Sequence, residues 1–359
     1  MNNRVYIIAE AGVNHNGSFE QAIQLVDVAA DAGADAVKFQ TFKADKLVSL
    51  VAPKANYQIA NTSSFESQHD MIRRLELDES AHIKLISHCE QKGIEFLSTP
   101  FDLESLGMLV RTVALSRIKL SSGDITNAPL LFEAARTGKH IILSTGMSTL
   151  GEIEMALGVL ACGYTRLDKS PSLQSFEVAY GSAKGREALQ KKVTLLHCTT
   201  EYPAPFADIN LRAMVTLQQA FGLSVGYSDH TLGIAIPVAT VALGAVIIEK
   251  HFTLDRALPG PDHKASLEPG ELKQMVQSIR EVELAMGSSI KQPADSEMKN
   301  RPVARKSLVA VRSICKGEAF TPDNLGVKRP GDGISPMHYW EWLGKVAEKD
   351  YFYDEKVQS

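Results

Sequence analysis

The sequence predicts an α/β protein in which a (β/α)8 TIM barrel precedes a small C-terminal domain. Eight short apolar runs recur along the chain, helical segments separate them, and a polar stretch then leads to a unit of about 55 residues. Eight βα units in series are typical of a closed parallel barrel, and an open doubly wound sheet is the alternative. We predict the barrel over 1–286, a linker over 287–304 and the small domain over 305–359.

The eight predicted strands are short and rich in β-branched and aliphatic residues. Such near-continuous apolar runs are typical of parallel strands that are buried on both faces. In chain order they are VYIIAE (5–10), AVKFQT (36–41), EFLSTP (95–100), RIKLSS (117–122), HIILSTG (140–146), VTLLHCT (193–199), SVGYSD (224–229) and AVIIEKH (245–251).

Amphipathic segments between these runs predict the outer helices. In the first two, Ser18 and Asp78 are the expected N-caps, and Gly33 and Gly93 are the expected C-terminal stops. The intervening side chains recur at helical spacing, so one apolar face of each helix is expected to cover the barrel.

Two longer stretches interrupt the βα alternation. Residues 43–66 are polar and follow the end of the second strand, which predicts a lid over a site. Residues 164–192 form an insertion before the sixth strand, for which we expect a short helix and a contribution to an interface.

Composition excludes several classes of partner. The net charge is −4 and no long basic run occurs, so nucleic acid is not expected as a partner, although a small anion is compatible. No apolar run is long enough to cross a bilayer, and the N-terminus lacks the apolar core of a signal peptide. The scattered cysteines indicate free thiols and predict a cytoplasmic protein: Cys89, Cys162, Cys198 and Cys315.

Polar side chains occupy the C-terminal ends of the predicted strands. Catalytic groups of a parallel barrel collect at this end, so we expect these residues to form one site. They include Glu10, Lys38, Gln40, Lys119, Ser122, Asp124, Ser144, Thr200, Tyr202, Ser228, His230, Glu249 and His251.

Two of these residues, Lys38 and Lys119, lie inside apolar runs. A buried ammonium group needs an anion, which is either a structural carboxylate such as Glu10 or Glu249, or a bound ligand. Two lysines with serines and glycines at neighbouring strand ends favour a phosphate, because hydroxyl and backbone N–H groups suit its oxygens.

His230 and His251 end consecutive strands and predict a divalent metal site. Neutral imidazoles bind Mn²⁺, Zn²⁺ or Co²⁺, with carboxylates such as Glu10 or Asp262 and water completing the coordination. We expect Asp229 to orient one of the imidazoles. Three other histidines fall on helical patterns and are expected at the surface: His69, His82 and His88.

Nine motifs together resemble the sialic acid synthase family over nearly the whole chain. They are AEAGVNHNGS, VKFQTFKADKL, FLSTPFD, IKLSSGDITN, ILSTGM, LLHCTTEYPAP, VGYSDHTLG, IEKHFTLDRALPGPDHKASLEP and VKRPGDGIS. The resemblance implies condensation of phosphoenolpyruvate with a six-carbon N-acetylamino sugar to give a nine-carbon sugar acid. It also implies a C-terminal antifreeze-like (SAF, β-clip) domain, a domain-swapped homodimer and a divalent metal, Mn²⁺ or alternatively Mg²⁺ or Co²⁺.

The resemblance assigns a role to each strand-end residue. It implies that His230 and His251 bind the metal. It implies phosphoenolpyruvate binding by Lys38, Lys119, Ser122, Ser144 and Ser228. It implies sugar binding by Gln40, Thr200, Tyr202 and Arg329, the last reaching over from the partner subunit, and catalysis by Glu10, Asp124 and Asp262.

The motifs also bear on which sugar is used. Thr200 and Asp124 stand where N-acetylneuraminate synthases tend to have Asn and Glu, and CTTEYPAPF and PDHKASLEP resemble bacterial N,N'-diacetyllegionaminate synthases. The expected sugar is therefore N-acetylmannosamine or 2,4-diacetamido-2,4,6-trideoxymannose. A pseudaminic acid synthase and a metal-dependent aldolase that uses pyruvate are the alternatives.

Overall fold

The structure is a computed structural model that describes residues 4–55, 58–59, 62, 66–165 and 170–358. It divides into two compact units, Met1–Gly287 and Ser288–Ser359. Each unit has its own buried apolar core.

The first unit contains eight strands whose bounds lie within two residues of the predicted ones. The strands are β1 (Tyr6–Gly12), β2 (Ala36–Thr41), β3 (Glu95–Pro100), β4 (Arg117–Leu120), β5 (His140–Ser144), β6 (Val193–Cys198), β7 (Ser224–Asp229) and β8 (Ile247–His251).

These strands form a parallel barrel, as the sequence predicts. β1 pairs with both β2 and β8, and the ladder continues in the order β3-β2-β1-β8-β7-β6-β5-β4. β3 and β4 stand at the two ends of this order, and their Cα atoms approach within 8 Å. Among the described residues, no backbone hydrogen-bond ladder joins these two adjacent strands. The pairing of the first strand with the eighth excludes the doubly wound alternative.

The outer helices of this unit begin and end largely where the sequence signals predict. The Ser18 hydroxyl accepts a hydrogen bond from the Gln21 N–H, and Asp78 caps the Ala81 N–H in the same way. The helices are α1 (Phe19–Asp31), α2 (Ala44–Leu47), α3 (Gln68–Arg73), α4 (Glu79–Lys92), α5 (Leu103–Arg111), α6 (Ala128–Arg136), α7 (Leu150–Thr165), α8 (Leu173–Gly181), α9 (Ala183–Lys192), α10 (Ala213–Phe221), α11 (Ala235–Ala242) and α12 (Pro269–Met286).

The insertion before β6 is more helical than we expected. Beyond residues 166–169, which lie outside the described chain, it forms the consecutive helices α8 and α9. Phe176 and Tyr180 of α8 pack against the core of the barrel unit. The described part of the insertion is therefore an addition to the outer helical layer.

Side-chain alternation along the strands separates two apolar layers. The inward-facing side chains of six strands form a cluster that fills the barrel interior: Ile8, Ala36, Leu97, Ile142, Leu196 and Ile247. Their neighbours in sequence, such as Ile7 and Ile248, belong to the larger cluster that also contains the helix residues Leu25 and Leu85. A side chain two residues beyond the interior layer must therefore point into the barrel, at its C-terminal end.

The same alternation overturns our expectation for Asp229. It points away from the interior and forms a fully buried ion pair with Lys250, with 2.6 Å between Oδ2 and Nζ. The Thr231 N–H and hydroxyl also donate to its carboxylate, at 3.1 and 3.0 Å. Asp229 therefore neutralises a buried lysine on the outer face of the strands, and the prediction that it orients an imidazole is wrong.

Two of the histidines expected at the surface are buried. His82 lies between α4 and the strands, where its Nε2 is 2.8 Å from the Thr41 hydroxyl. His69 bonds through Nε2 to Asp45 at 2.7 Å. His88 is partly exposed and pairs with Asp27. Burial on a helix face is the physical reason for the error, since helical spacing alone does not say which face is covered.

The second unit is small and built on a short antiparallel sheet. β9 (Ser307–Ala310) pairs with β10 (Leu325–Lys328), and two single-turn helices precede it, α13 (Asp295–Met298) and α14 (Arg301–Ala304). A further short helix, α15 (Tyr339–Trp342), follows β10. The buried core of the second unit contains Leu308, Ile314, Phe320, Leu325 and Tyr351, among others.

Two other expectations from composition can be compared with the structure. The four cysteines are unpaired, three of them buried and Cys315 exposed. Among the described residues, none of the helices has the length and apolar character needed to cross a bilayer.

We predict that Asp229→Asn lowers the free energy of unfolding by about 3–5 kcal/mol, because it leaves the Lys250 ammonium buried without a counter-charge. Urea unfolding of the purified variant measures this. Lys191→Ala is the matched control, since it removes an exposed pair with Glu187 and should cost less than about 1 kcal/mol. An equal effect of the two substitutions would contradict the assignment.

Candidate active site at the carboxyl ends of the strands

A polar layer lies directly above the apolar interior of the barrel. Adding two residues to each member of the interior layer gives Glu10, Lys38, Thr99, Ser144, Cys198 and Glu249, and all of these line one cavity of about 290 Å³. Strand alternation therefore builds the floor of the cavity, and the loops that follow the strands build its walls.

The cavity brings together the predicted site residues with two exceptions. It is lined by Glu10, Lys38, Gln40, Lys119, Ser122, Ser144, Thr200, Tyr202, Ser228, His230, His251 and Asp262. Leu47 and Gln58 of the segment predicted as a lid also line it. Residues 56–57, 60–61 and 63–65 of that segment lie outside the described chain.

Asp124 is the first exception. It is buried behind the cavity, where the Ser121 hydroxyl and the Asn127 amide donate to its carboxylate at 2.6 and 3.2 Å. Burial raises its pKa. Asp124 is not among the residues that line the cavity, and its catalytic role stays a prediction. The second exception, Arg329, is an exposed residue of the other unit.

Two lysines and two carboxylates form the most buried part of the site. Lys38 Nζ lies 2.7 Å from Glu10 Oε2 and 3.5 Å from Glu249 Oε2, and it donates to the Thr99 hydroxyl at 3.0 Å. Lys119 Nζ lies 3.5 Å from the other oxygen of Glu249. The structural ion pairs considered above are thus present, and Glu249 is shared by both lysines.

These contacts set unequal proton affinities for the two carboxylates. Burial would raise the pKa of Glu249, but Lys119, Lys38 and the Ser228 hydroxyl outweigh it and lower the pKa to about 2. At Glu10, burial together with the charge of Glu249 outweighs Lys38, and the pKa rises to about 7. Near neutral pH, therefore, only Glu249 is firmly ionised, and the cluster favours a further anion.

Small residues leave room beside Lys119. The Gly146 N–H donates to the Ser122 hydroxyl at 2.9 Å, and Ser122 also contacts the Cys198 sulfur at 3.1 Å. A Cβ on Gly146 would lie only 2.4 Å from the Thr200 hydroxyl oxygen. Glycine is therefore required where the loops after β5 and β6 approach each other at the cavity.

His230 and His251 are both buried, and the tautomer of His230 suits a metal ligand. The Nδ1 of His230 lies 2.5 Å from the Thr199 carbonyl oxygen, which can only accept, so Nδ1 carries the proton and Nε2 keeps its lone pair. His251 Nδ1 is buried and has no hydrogen-bond partner within the described chain. Burial lowers the pKa of both imidazoles, so they are neutral.

The two imidazoles supply a partial coordination sphere. Their ring centroids are 5.5 Å apart, and the Tyr202 ring lies 4.2 Å from the first and 5.6 Å from the second. Asp262 Oδ2 lies 3.9 Å from His251 Nδ1. Within the described residues no group of three His, Cys, Asp or Glu side chains is placed to hold an ion. The donors present thus fit a metal that takes two protein nitrogens and completes its sphere with water or substrate oxygens.

Asp262 is the third carboxylate of the cavity with an altered proton affinity. It follows β8 in the loop after that strand, and burial raises its pKa to about 6. Ser266 donates to the Asp262 backbone carbonyl at 2.7 Å, and the Asn14 amide donates to the Ser266 hydroxyl at 2.9 Å. The loop after β1 therefore holds Asp262 in place at the rim.

Several residues of the cavity are not among those predicted from the sequence. Thr99 was within reach of prediction, because it lies two residues beyond Leu97 on the same face of β3. The apolar residues Val13, Phe42 and Met71 line the cavity from loops and a short helix, where no strand or helix period marks them.

Comparison with known proteins agrees with this fold. Residues 25–291 match the NeuB family, and residues 305–351 match the SAF domain. The N,N'-diacetyllegionaminic acid synthase of Campylobacter jejuni subsp. jejuni serotype O:2 is 52% identical over 356 residues, which cover 99% of each chain. The protein of the same description from Legionella pneumophila subsp. pneumophila is 45% identical, over 94% of this chain and 89% of its own.

A solved structure of a related synthase shares the fold of this chain. N-acetylneuraminic acid (sialic acid) synthetase from Leptospira borgpetersenii serovar Hardjo-bovis, in complex with citrate, superposes with a TM-score of 0.66 at 34% sequence identity. The match covers 83% of this chain and 90% of that one. Fold and cavity thus define a (β/α)8-barrel enzyme with a C-terminal SAF domain. The chain belongs to the NeuB family, which confirms the resemblance drawn from its motifs.

The raised pKa of Glu10 predicts a specific pH dependence of stability. The folded value of about 7 exceeds the ordinary value of 4.5, so the stabilising contribution is complete below pH 4.5 and is lost as the pH rises through 7. In Glu10→Gln the side chain is neutral at every pH, so the variant does not lose this stabilisation as the pH rises. The unfolding free energy of the variant, relative to the parent, should therefore rise by on the order of 2–3 kcal/mol between pH 5 and 8.5.

The measurement is urea unfolding of both proteins across this range in the presence of a chelator. Glu187→Gln is the control, because the Glu187 carboxylate is exposed and its pKa is lowered by Lys191, so that its contribution changes only at more acidic pH. A relative stability of Glu10→Gln that stays constant or falls with pH would show that Glu10 is ionised throughout.

Proposed function

We propose that this chain condenses phosphoenolpyruvate with 2,4-diacetamido-2,4,6-trideoxymannose and water, giving N,N'-diacetyllegionaminate and phosphate. The observation that carries the proposal is the pair of buried lysines that share one firmly ionised carboxylate, beside two neutral imidazoles in the same cavity. The 52% identity to a synthase of that description, over 99% of both chains, favours this sugar over N-acetylmannosamine.

Phosphoenolpyruvate carries a phosphate and a carboxylate, and the lysine cluster lacks negative charge. Lys38 and Lys119 supply the ammonium groups for these anions, and Ser122, Ser144 and Ser228 supply hydroxyls at neighbouring strand ends. The Ser228 hydroxyl donates to Glu249 at 2.7 Å, so Glu249 holds this side chain as well as both lysines at the anion site. The Ser228 proton must turn from Glu249 to the ligand for Ser228 to donate to the phosphate.

The sugar is placed next to this anion site. Gln40, Thr200 and Tyr202 line the same cavity and offer amide, hydroxyl and phenol groups to its oxygens. In the proposed domain-swapped homodimer, Arg329 reaches the sugar from the small domain of the partner. The exposure of Arg329 at the end of β10 is compatible with this role.

The reaction balances without a further reactant. The C3 carbon of phosphoenolpyruvate forms a bond to the sugar aldehyde carbon, and the aldehyde oxygen takes a proton to become a hydroxyl. Water adds to the C2 carbon, which has become electron-deficient. The C2–O bond to phosphate then breaks, the ketone forms and phosphate leaves, stabilised by the lysines.

Two carboxylates are placed to move the proton of the attacking water. Glu10 and Asp262 both line the cavity, and burial raises their pKa to about 7 and about 6. Values near neutral pH suit a group that must accept and release a proton in one cycle. Asp124, the third carboxylate predicted to be catalytic, is not among the residues that line the cavity.

A divalent metal fits the two imidazoles, as argued above, and Mn²⁺ is the ion that we propose, with Mg²⁺ and Co²⁺ as alternatives. His230 and His251 would hold it. When bound, it would act as a Lewis acid towards the sugar aldehyde. The Nδ1 of His251, which has no hydrogen-bond partner among the described residues, and the lone pair on the Nε2 of His230 are the features that support the site.

A metal-dependent aldolase that uses pyruvate would need the histidines but no phosphate site. The second buried lysine and the serines around it would then have no ligand to bind. For this reason the cavity favours phosphoenolpyruvate. The choice between the legionaminate and pseudaminate precursors depends on sugar stereochemistry, which a substrate panel tests directly.

We predict that the Mn²⁺-loaded enzyme releases inorganic phosphate from phosphoenolpyruvate only when an acceptor sugar is present. Among 2,4-diacetamido-2,4,6-trideoxymannose, the corresponding pseudaminate precursor and N-acetylmannosamine, the first should give the highest kcat/KM. Mass spectrometry of the product checks the identity of the sugar acid. No phosphate release with any of the three, or turnover of pyruvate in place of phosphoenolpyruvate, would contradict the proposed function.

His230→Ala tests the metal site without relying on activity. We expect calorimetric titration of the chelator-treated protein with Mn²⁺ to show one site per chain, and the variant to bind at least about 10²-fold more weakly. His338→Ala, an exposed histidine of the second unit, is the control and should not change binding. Undiminished Mn²⁺ affinity in His230→Ala would exclude this histidine as a ligand.

A further inference from the structure

The cavity is lined on the side of β1 to β3 mainly by apolar side chains, together with Gln58, in contrast to its charged floor. Val13 follows β1, Phe42 follows β2, and Met71 and Leu75 lie in and after α3; all four line the cavity and are buried. We call these four residues the apolar wall. Polar groups for phosphate, metal and carbonyl chemistry come from the strand ends, so the cavity has one charged part and one apolar part.

The apolar wall is held in a fixed shape. The Phe42 ring packs edge-on against Phe101, with 6.1 Å between the ring centroids. Asp45 of α2 bonds to His69 and Arg73 of α3, each at 2.7 Å, so the two short helices are tied together. A ligand therefore meets a preformed apolar surface and need not create one.

A sugar in this cavity must meet both parts. Its aldehyde carbon has to lie beside phosphoenolpyruvate at the strand ends, so the opposite end of the sugar lies among the loops that follow the strands. A hydroxyl placed against the apolar wall would lose its hydrogen bonds to water without replacement. A methyl group at the same place would instead be stabilised by burial.

We infer that the apolar wall is a specificity subsite that contacts the C6 methyl group of a 6-deoxy sugar and discriminates against the 6-hydroxy analogue. This inference rests on the proposed function. It specifies which residues select the sugar and which atom of the sugar they contact. Rejection of an added hydroxyl by an apolar pocket is modest, so we expect a preference of about 10- to 100-fold in kcat/KM.

The test compares two acceptors that differ only at C6: 2,4-diacetamido-2,4,6-trideoxymannose and its 6-hydroxy counterpart, each with phosphoenolpyruvate and Mn²⁺. The parent enzyme should prefer the 6-deoxy sugar by the factor above. In Met71→Gln, which makes the wall polar, the ratio of the two kcat/KM values should fall about tenfold, chiefly through a loss for the 6-deoxy sugar.

Two further variants separate recognition from folding. Met71→Leu keeps the wall apolar and should keep the ratio within about twofold of the parent. Met155→Gln makes the same chemical change at an exposed methionine on the outside of the barrel unit and should change neither rate. If Met71→Gln does not fold, Val13→Thr replaces a methyl with a hydroxyl at nearly constant shape and is expected to lower the same ratio.

The outcomes distinguish this inference from the proposed function. Phosphate release with both sugars at equal kcat/KM in the parent would overturn the subsite and leave the synthase reaction intact. Equal loss for both sugars in Met71→Gln and Val13→Thr, with an unchanged ratio, would assign the wall to packing alone. No phosphate release with either sugar or with N-acetylmannosamine would overturn the proposed function, and the subsite with it.

Discussion

The buried cluster of Lys38, Lys119, Glu10 and Glu249 is the interaction on which the rest of the site depends. Four ionisable groups inside a barrel are stable only if their charges nearly cancel, because removal of one partner leaves a buried charge uncompensated. Glu249 provides most of the compensation, because it contacts both lysines and is ionised at all but very acidic pH. Glu10, with its pKa near 7, leaves the balance incomplete, which makes the cavity receptive to an anion.

Because side chains alternate along a strand, one short strand carries charged groups for the cavity on its inner face and a separate ion pair on its outer face. In β8, Glu249 and His251 face the cavity, whereas Lys250 between them faces the helices and pairs with Asp229 of β7. The inward groups are free to contact ligands because the outward pair is self-contained. A one-residue shift in the register of β8 would exchange the two sets and place an unpaired lysine in the proposed metal site.

Much of the fold and of the cavity floor could be predicted from the sequence, because both follow from a period of two. Apolar runs marked the strands, and their polar ends marked residues such as Lys38 and Ser228. The predictions that failed were those that depend on a contact with a residue distant in the sequence. The partner of Asp229 is 21 positions away on another strand, and His82 is buried by a packing that helical spacing does not define. The apolar wall comes from loops and single helical turns, where no periodicity distinguishes a lining residue from one in the core.

The incomplete charge balance of the cluster also bears on how Glu10 and Asp262 divide their work. An anion that binds to Lys38 competes with Glu10 for the same ammonium group, which lies 2.7 Å from the Glu10 carboxylate. Added negative charge beside a carboxyl group raises its pKa further, so under the proposed function Glu10 becomes a proton donor when phosphoenolpyruvate is bound. Among the described residues no lysine pairs with Asp262, and burial raises its pKa to about 6. Under the proposed function, Asp262 is therefore the carboxylate that takes a proton from water.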